Sequence, residues 1–440
     1  MSESFIIKGN FIYSSRDKKL KIIENGYAVC EKGICQGVFE EIPEEFKGLE
    51  IKDFKDNIII PGMVDLHVHA PQYSFRGLGM DLELLDWLNI NTFPEEAKYR
   101  NIEYAEKAYE IFVEDLKQGE TTRSCIFATI HNESTLLLMD MLEKSGLHTF
   151  VGKVNMDRNS SSMLCEKSAE DSLRNTKEWI LESEQSFINT KPILTPRFVP
   201  TCSDELMEGL GRLQKEFHIP VQSHLSENLS EISWVKELNS KASCYGQAYD
   251  MFGLFGSQDR TVMAHCIYST EEEIELMRKN NVFIAHCPES NLNLASGIAP
   301  IRKYLDLDMN VGLGSDIAGG SSLSMMSAMV NAIQSSKMYW RLIDQGKKPL
   351  TFEEVFYLAT LGGGKFFGNV GTFEKGYEFD VVVIDDSALK SPNKLNLHQR
   401  IERSIYNNQA IKIVEKYVCG NKIRLNDQKY IDKYWAGAII

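Results

Sequence analysis

From Pro61 onward the chain alternates short apolar runs of strand character with longer segments of helical periodicity, and this alternation narrows the folds open to it. Eight runs read as buried strands: Met63–His69, Thr121–Ala128, Thr149–Met156, Ile193–Val199, Ile219–Leu225, Thr261–Cys266, Val282–His286 and Val311–Ser315. Helix-patterned stretches lie between them, among them Tyr99–Gln118, Leu136–Lys144, Ser168–Glu184, Asp204–Glu216 and Glu271–Asn280. Ser203 is placed to cap the fourth of these, and Thr270 with Glu273 forms a capping-box pattern before the fifth. Eight strands with crossover helices close a (β/α)8 TIM barrel, the fold this α/β pattern predicts.

The two ends differ in texture. Residues 4–60 carry short β-like runs separated by charged turns, and Phe379–Ile384 and Ile411–Val418 return to strand character. The simplest arrangement joins both ends in a small β-sandwich-like accessory domain. The expected boundaries are 1–60 with 370–425 for that domain, 61–369 for the barrel, and 426–440 for a C-terminal tail. Gly362-Gly363-Gly364 matches neither glycine-rich phosphate motif and reads as a turn.

A length of 440 residues with 43% hydrophobic content accommodates a barrel and an accessory domain. The formal net charge of −14 argues against nucleic acid or an anionic membrane as partner. No apolar run is long enough to span a bilayer, and Met1–Asn10 lacks a signal-peptide profile. The nine cysteines include no C-x-x-C pair, the pattern of reduced thiols in a cytoplasmic protein.

Chemistry-bearing residues collect at the strand ends, where such a barrel builds its active site. The first strand ends His67-Val68-His69, and alternate residues of a strand share a face, so both imidazoles can grip one ion. Alone, the pair could equally be satisfied by backbone carbonyls. Later strands end at Pro196-Arg197-Phe198, His224-x-x-Glu227, His265, His286 and Gly314-Ser315-Asp316. His67, His69, His224 and Asp316 together offer three imidazoles and a carboxylate, a ligand set that suits zinc, with iron also open. Glu227 stands just past a ligand, where a carboxylate can reach the reacting water; on its own it would be a solvated loop acid. His265 could hydrogen-bond the nucleophile. His286 fits a second layer around the metal or a satisfied core position equally well, and His148 and His218 precede strands on the opposite face.

These residues resemble the amidohydrolase superfamily of metal-dependent (β/α)8 hydrolases: Pro61-Gly62-x-x-Asp65-x-His67-x-His69, His224, His265 and a late Gly-Ser-Asp316. Finer segments resemble its guanine deaminase branch. They are His69-Ala70-Pro71-Gln72-Tyr73, Leu85-Asp86-Trp87-Leu88 with Thr92-Phe93-Pro94-Glu95, and Phe127-Ala128-Thr129-Ile130-His131. Val151-Gly152-Lys153-Val154-x-Met156-Asp157, Thr195-Pro196-Arg197-Phe198 and Cys287-Pro288-x-Ser290-Asn291-Leu292 agree with them. Pro71 stands where that branch usually carries Ser.

The resemblance implies one Zn2+, with Fe2+ as the alternative, held by His67, His69, His224 and Asp316. It implies substrate contacts from Gln72, Arg197 and Phe198, and catalytic roles for Glu227, His265 and Asp316. The implied reaction is hydrolysis of guanine to xanthine and ammonia by a zinc-activated hydroxide, with Glu227 as proton shuttle, in a homodimeric cytoplasmic enzyme. Competing expectations are a deaminase or chlorohydrolase of the same superfamily acting on a pterin, cytosine or triazine ring. A two-metal hydrolase would need a carboxylated lysine, for which Lys153 is the candidate. A non-catalytic scaffold is disfavoured because no ligand is missing.

Overall fold

The computed structural model of the chain describes residues 4–425, so the tail expected at 426–440 lies outside the described residues. Two four-stranded parallel sheets carry the central run of the chain. The first orders Met63–His69, Thr121–Phe127, His148–Gly152 and Thr190–Pro192. The second orders Val221–Leu225, Thr261–His265, Phe283–His286 and Asn310–Leu313. A parallel bridge between Leu194 and Val221 links the sheets on one side. On the other, Asp316 N–H donates to His67 O at 2.8 Å and His69 N–H to Ile317 O at 3.2 Å.

Two expected strands are interrupted. Thr149–Met156 divides into His148–Gly152 and Val154–Asn155, and Ile193–Val199 reduces to Thr195–Pro196, which pairs with Val154–Asn155. Pro192 and Pro196 carry no N–H, which removes ladder donors here. Packing at the break is close: a Cβ on Gly152 would fall 1.7 Å from Thr195 Oγ1.

The intervening helices bury one stripe each. Ile102–Gln118 packs Ala105, Tyr109, Phe112 and Leu116 inward and is capped by Asn101, whose side chain accepts from Glu103 and Tyr104 N–H. Ser203 caps Asp204–Phe217 by accepting from Leu206 N–H. Thr270 accepts from Glu273 N–H as expected, but the Glu273 carboxylate takes Ser226 Oγ–H and Gly246 N–H, so the reciprocal half of the box does not form.

The glycine triplet is a correction to the expected turn. Gly362 ends the helical stretch Leu358–Gly362, and Gly363 and Gly364 continue helical. The physical reason is contact. A Cβ on Gly312 would lie 2.8 Å from Gly363 Cα, and one on Gly362 would lie 2.8 Å from Val311 O. The missing side chains let this helix press directly onto the last strand.

Both chain ends meet in one seven-stranded sheet, where a sandwich-like unit was expected. Glu50–Pro61 stitches them together, pairing parallel with Phe5–Ser14 and antiparallel with Val381–Asp385. Phe5, Phe11, Tyr13, Phe373, Phe379 and Tyr417 form its own aromatic core. Arg123 ties the sheet to the first parallel sheet through Asp380, at 2.7 and 3.0 Å. Among the described residues no helix is long and apolar enough to cross a membrane.

Candidate metal centre and active site

The strand Met63–His69 is buried throughout, and its alternation turns His67 and His69 to one side. Their Nε2 atoms lie 3.2 Å apart, and His224 Nε2 reaches within 3.3 Å of His69 Nε2. Asp316 Oδ1 lies 3.2 Å from His67 Nε2 and 3.5 Å from His69 Nε2. Residues 67 to 316, read from opposite ends of the strand series, therefore meet at one point.

Protonation states make this a cation site. Burial drives the His67 imidazole below its usual pKa, and drives His69 and His224 far below it, with neighbouring imidazoles adding to the effect at the latter two. All three are neutral near pH 7. His224 Nδ1 lies 2.7 Å from Arg197 O, and a carbonyl only accepts, so the proton sits on Nδ1 and the Nε2 lone pair faces inward. Burial would raise the Asp316 carboxyl, but any positive charge on His67, His265 or His69 outweighs it, and the carboxyl stays well below its usual value, as a carboxylate. Converging lone pairs and one negative oxygen repel each other unless a cation lies between them. Three imidazole nitrogens with one carboxylate oxygen is a donor set that fits zinc.

Beside this cluster, His265 Nε2 lies 3.4 Å from Glu227 Oε2 and 3.7 Å from Asp316 Oδ2. Burial alone would lower the His265 pKa, but the two carboxylates outweigh it and the net shift is upward. Glu227 is buried, accepts from Ser296 Oγ at 2.9 Å, and is pushed up by desolvation. Glu231 was absent from the sequence reading. Its carboxylate receives the N–H groups of Glu227 and Asn228 and the Tyr245 hydroxyl, so it fixes the loop that carries Glu227.

A pocket opens onto the cluster, walled by Leu84, Trp87, Leu88 and Leu294 and lined by Gln72, Arg197 and Phe198. Behind Arg197 and Gln72 sits a second residue the sequence reading missed. Glu96 accepts from Arg197 Nη1 at 2.6 Å and Nη2 at 3.1 Å, and from Gln72 Nε2 at 2.9 Å. Gln72 Oε1 in turn accepts from Ala318 N–H at 3.0 Å. A carboxylate can only accept and a backbone N–H can only donate, so these partners fix which way the Gln72 amide points. The available signal was the spacing of Phe93 and Glu96, three residues apart on Phe93–Glu96 and so on one helix face. Arg197 meets both, its guanidinium lying 5.4 Å from the Phe93 ring centroid.

The other sequence candidates lie elsewhere. Lys153 Nζ donates to Glu166 Oε1 at 2.6 Å and to Val154 O at 3.2 Å, contacts that keep it out of the histidine cluster. His286 is buried, pushed down to about 3 by desolvation, and its Nδ1 has no hydrogen-bond partner among the described residues. His148 pairs with Arg123, and His218 forms the left-handed cap of Asp204–Phe217.

An α/β fold of parallel strands with a histidine–carboxylate cluster at the strand ends defines a metal-dependent hydrolase class, and comparison with known proteins gives its family. Residues 58–418 match the amidohydrolase family. The chain is 38% identical to guanine deaminase of Dictyostelium discoideum, over 95% of this chain and 98% of that protein. It is also 38% identical to guanine deaminase of Homo sapiens, over 95% and 96%. The crystal structure of guanine deaminase from C. acetobutylicum, with guanine bound in its active site, superposes with a TM-score of 0.92 at 50% identity, covering 96% of this chain and all of that one. The chain belongs to the amidohydrolase family and, within it, to the guanine deaminase branch.

Proposed function

We propose that this chain hydrolyses guanine to xanthine and ammonia, using one divalent ion, zinc in preference to iron, held by His67, His69, His224 and Asp316. The observation that carries the reading is the junction of two features: the neutral-imidazole cluster with its carboxylate, and an apolar pocket ending on Arg197 and Gln72. The guanine deaminases it matches, one with guanine bound, support the choice of ring.

When bound, the ion supplies Lewis acidity that lowers the pKa of water from about 15.7 toward about 7. The chain's own residues do the rest. Glu227, lifted by burial, takes a proton from the attacking water and delivers it to ring N3, which makes C2 electrophilic. The proton remaining on the C2 hydroxyl then passes through Glu227 or Asp316 to the exocyclic amine, the C2–N bond breaks, and ammonia leaves as the C2 carbonyl forms. His265 and Asp316 hold the water in line with C2 from their shared side of the site. Arg197, a donor only, takes the guanine carbonyl oxygen; Gln72 donates and accepts along the ring edge; Phe198 supplies an apolar flank.

The scaffold for this chemistry is a closed (β/α)8 barrel spanning 61–369, with 1–60 and 370–425 as the accessory domain. The bridge at Leu194 and the hydrogen bonds from Asp316 and His69 support closure. A cytoplasmic homodimer is the assembly we infer, from the family resemblance. Ammonia release measured across guanine, a pterin, cytosine and an aminotriazine tests the substrate. Guanine should exceed the others in kcat/KM by at least about 100-fold, the scale set by a polar ring edge that leaves buried donors unpaired. A higher value for any other ring would overturn the assignment.

A further inference from the structure

Arg197 is buried with 4% of its side chain exposed, and Glu96 with 2%. A guanidinium so placed needs a counter-charge, because desolvating an unpaired ion is costly. Glu96 provides it through both carboxylate oxygens, and the same carboxylate holds the Gln72 amide. Phe93, on the same helix face, lies against the guanidinium as well. Two residues assigned to the substrate are thus positioned by one acid that lies behind them.

We propose that Glu96 is the positioning residue of the substrate pocket. It sets the plane of the Arg197 fork and the orientation of the Gln72 amide, and it cancels the Arg197 charge so that the pocket accepts a neutral ring in preference to an anionic one. An uncompensated guanidinium in an apolar pocket would attract anions; the paired one offers directed N–H groups with no net charge. Glu96 itself is anchored in a wider network. The neighbouring Glu95 pairs with Lys98 at 2.5 Å and with the Tyr104 hydroxyl, which fixes the short helix against Ile102–Gln118.

This inference rests on the guanine reading, and its test separates the two. KM and kcat are measured for guanine and for 2-aminopurine, which lacks the carbonyl oxygen, in wild type, Glu96→Gln, Arg197→Ala and the double variant. Absence of guanine turnover in the wild type would defeat the functional reading alone; the Glu96 role is then read from calorimetric binding of guanine to the same four proteins. With turnover present, Glu96→Gln should raise KM for guanine about 10- to 100-fold, the range of a lost charge-assisted hydrogen bond. Its kcat should change far less, and the KM rise for 2-aminopurine, which loses only the Gln72 share of the effect, should be clearly smaller than that for guanine. The double variant should lose clearly less than the two single losses combined, because Glu96 acts largely through Arg197 and for the rest through Gln72. Metal content and melting temperature accompany each variant. Should Glu96→Gln fail to fold, Glu96→Asp keeps the charge with a shorter reach and should show a smaller KM rise. Unchanged KM in a folded variant, additive effects in the double, or equal losses on both rings would overturn the proposal.

Discussion

His265 Nδ1 lies 2.8 Å from the side-chain oxygen of Asn291. An amide oxygen accepts, so the imidazole keeps its proton on Nδ1 and turns Nε2 toward Glu227 and Asp316. Asn291 therefore determines which face of His265 the reacting water meets. Replacing it with Leu removes the acceptor while keeping the volume close.

Asn291→Leu is expected to lower kcat for guanine about 10- to 100-fold, since hydrogen bonds to charged groups contribute about 1.5–3 kcal/mol. Bound metal should stay at the wild-type level, because the Asn291 side chain bonds His265, which lies outside the proposed ligand set. Steady-state kinetics with metal analysis checks this, and a loss of metal in step with activity would assign Asn291 a different role.

Glu227→Gln keeps the shape of the side chain and removes its ability to carry a proton. General acid–base transfer contributes about 100- to 10,000-fold, so kcat should fall within that range with metal retained. Near-wild-type turnover in this variant would remove Glu227 from the proton path.

Glu231 gives a pH dependence whose sign is fixed. Burial, with the Glu227 charge beside it, raises its carboxyl to about 7 from an ordinary value of 4.5. The folded state therefore binds this proton more tightly than the unfolded chain. Its stabilising contribution is complete below about pH 4.5 and is lost as pH rises through about 7. A shift of that size corresponds to about 3 kcal/mol. Glu231→Gln cannot titrate, so its stability relative to wild type should improve from pH 4.5 to pH 7.5. Urea unfolding at several pH values measures the difference, and a pH-independent difference would contradict the assignment.

The contrast between His67 and Glu96 explains how much of the site was legible in the sequence. Histidines two apart at the end of an apolar strand share a face by geometry alone, and His224, His265 and Asp316 fall at strand ends that the alternation already located. Glu96, Asn291 and Glu231 sit on helices that follow the strands, at Phe93–Glu96, Pro288–Asn293 and Leu229–Leu238, where an acid or amide is ordinarily solvated. Their roles depend on what folds over them from more distant parts of the chain: Arg197 over Glu96, His265 over Asn291, Tyr245 over Glu231. Periodicity carries no information about such contacts. The glycine triplet shows the same limit in the fold. Locally it resembles a turn, and only the approach of Gly312 and Val311 gives the missing side chains a purpose in a helix.

The central claim is that His67, His69, His224 and Asp316 serve one ion on which turnover depends. The most direct measurement is metal content per chain alongside guanine loss at its ultraviolet band, for wild type before and after chelation and for His67→Ala. The account predicts close to one zinc per chain, loss of activity with the metal, recovery on adding zinc back, and neither metal nor activity in His67→Ala. Full turnover by metal-free protein, or two tightly held ions per chain, would contradict it.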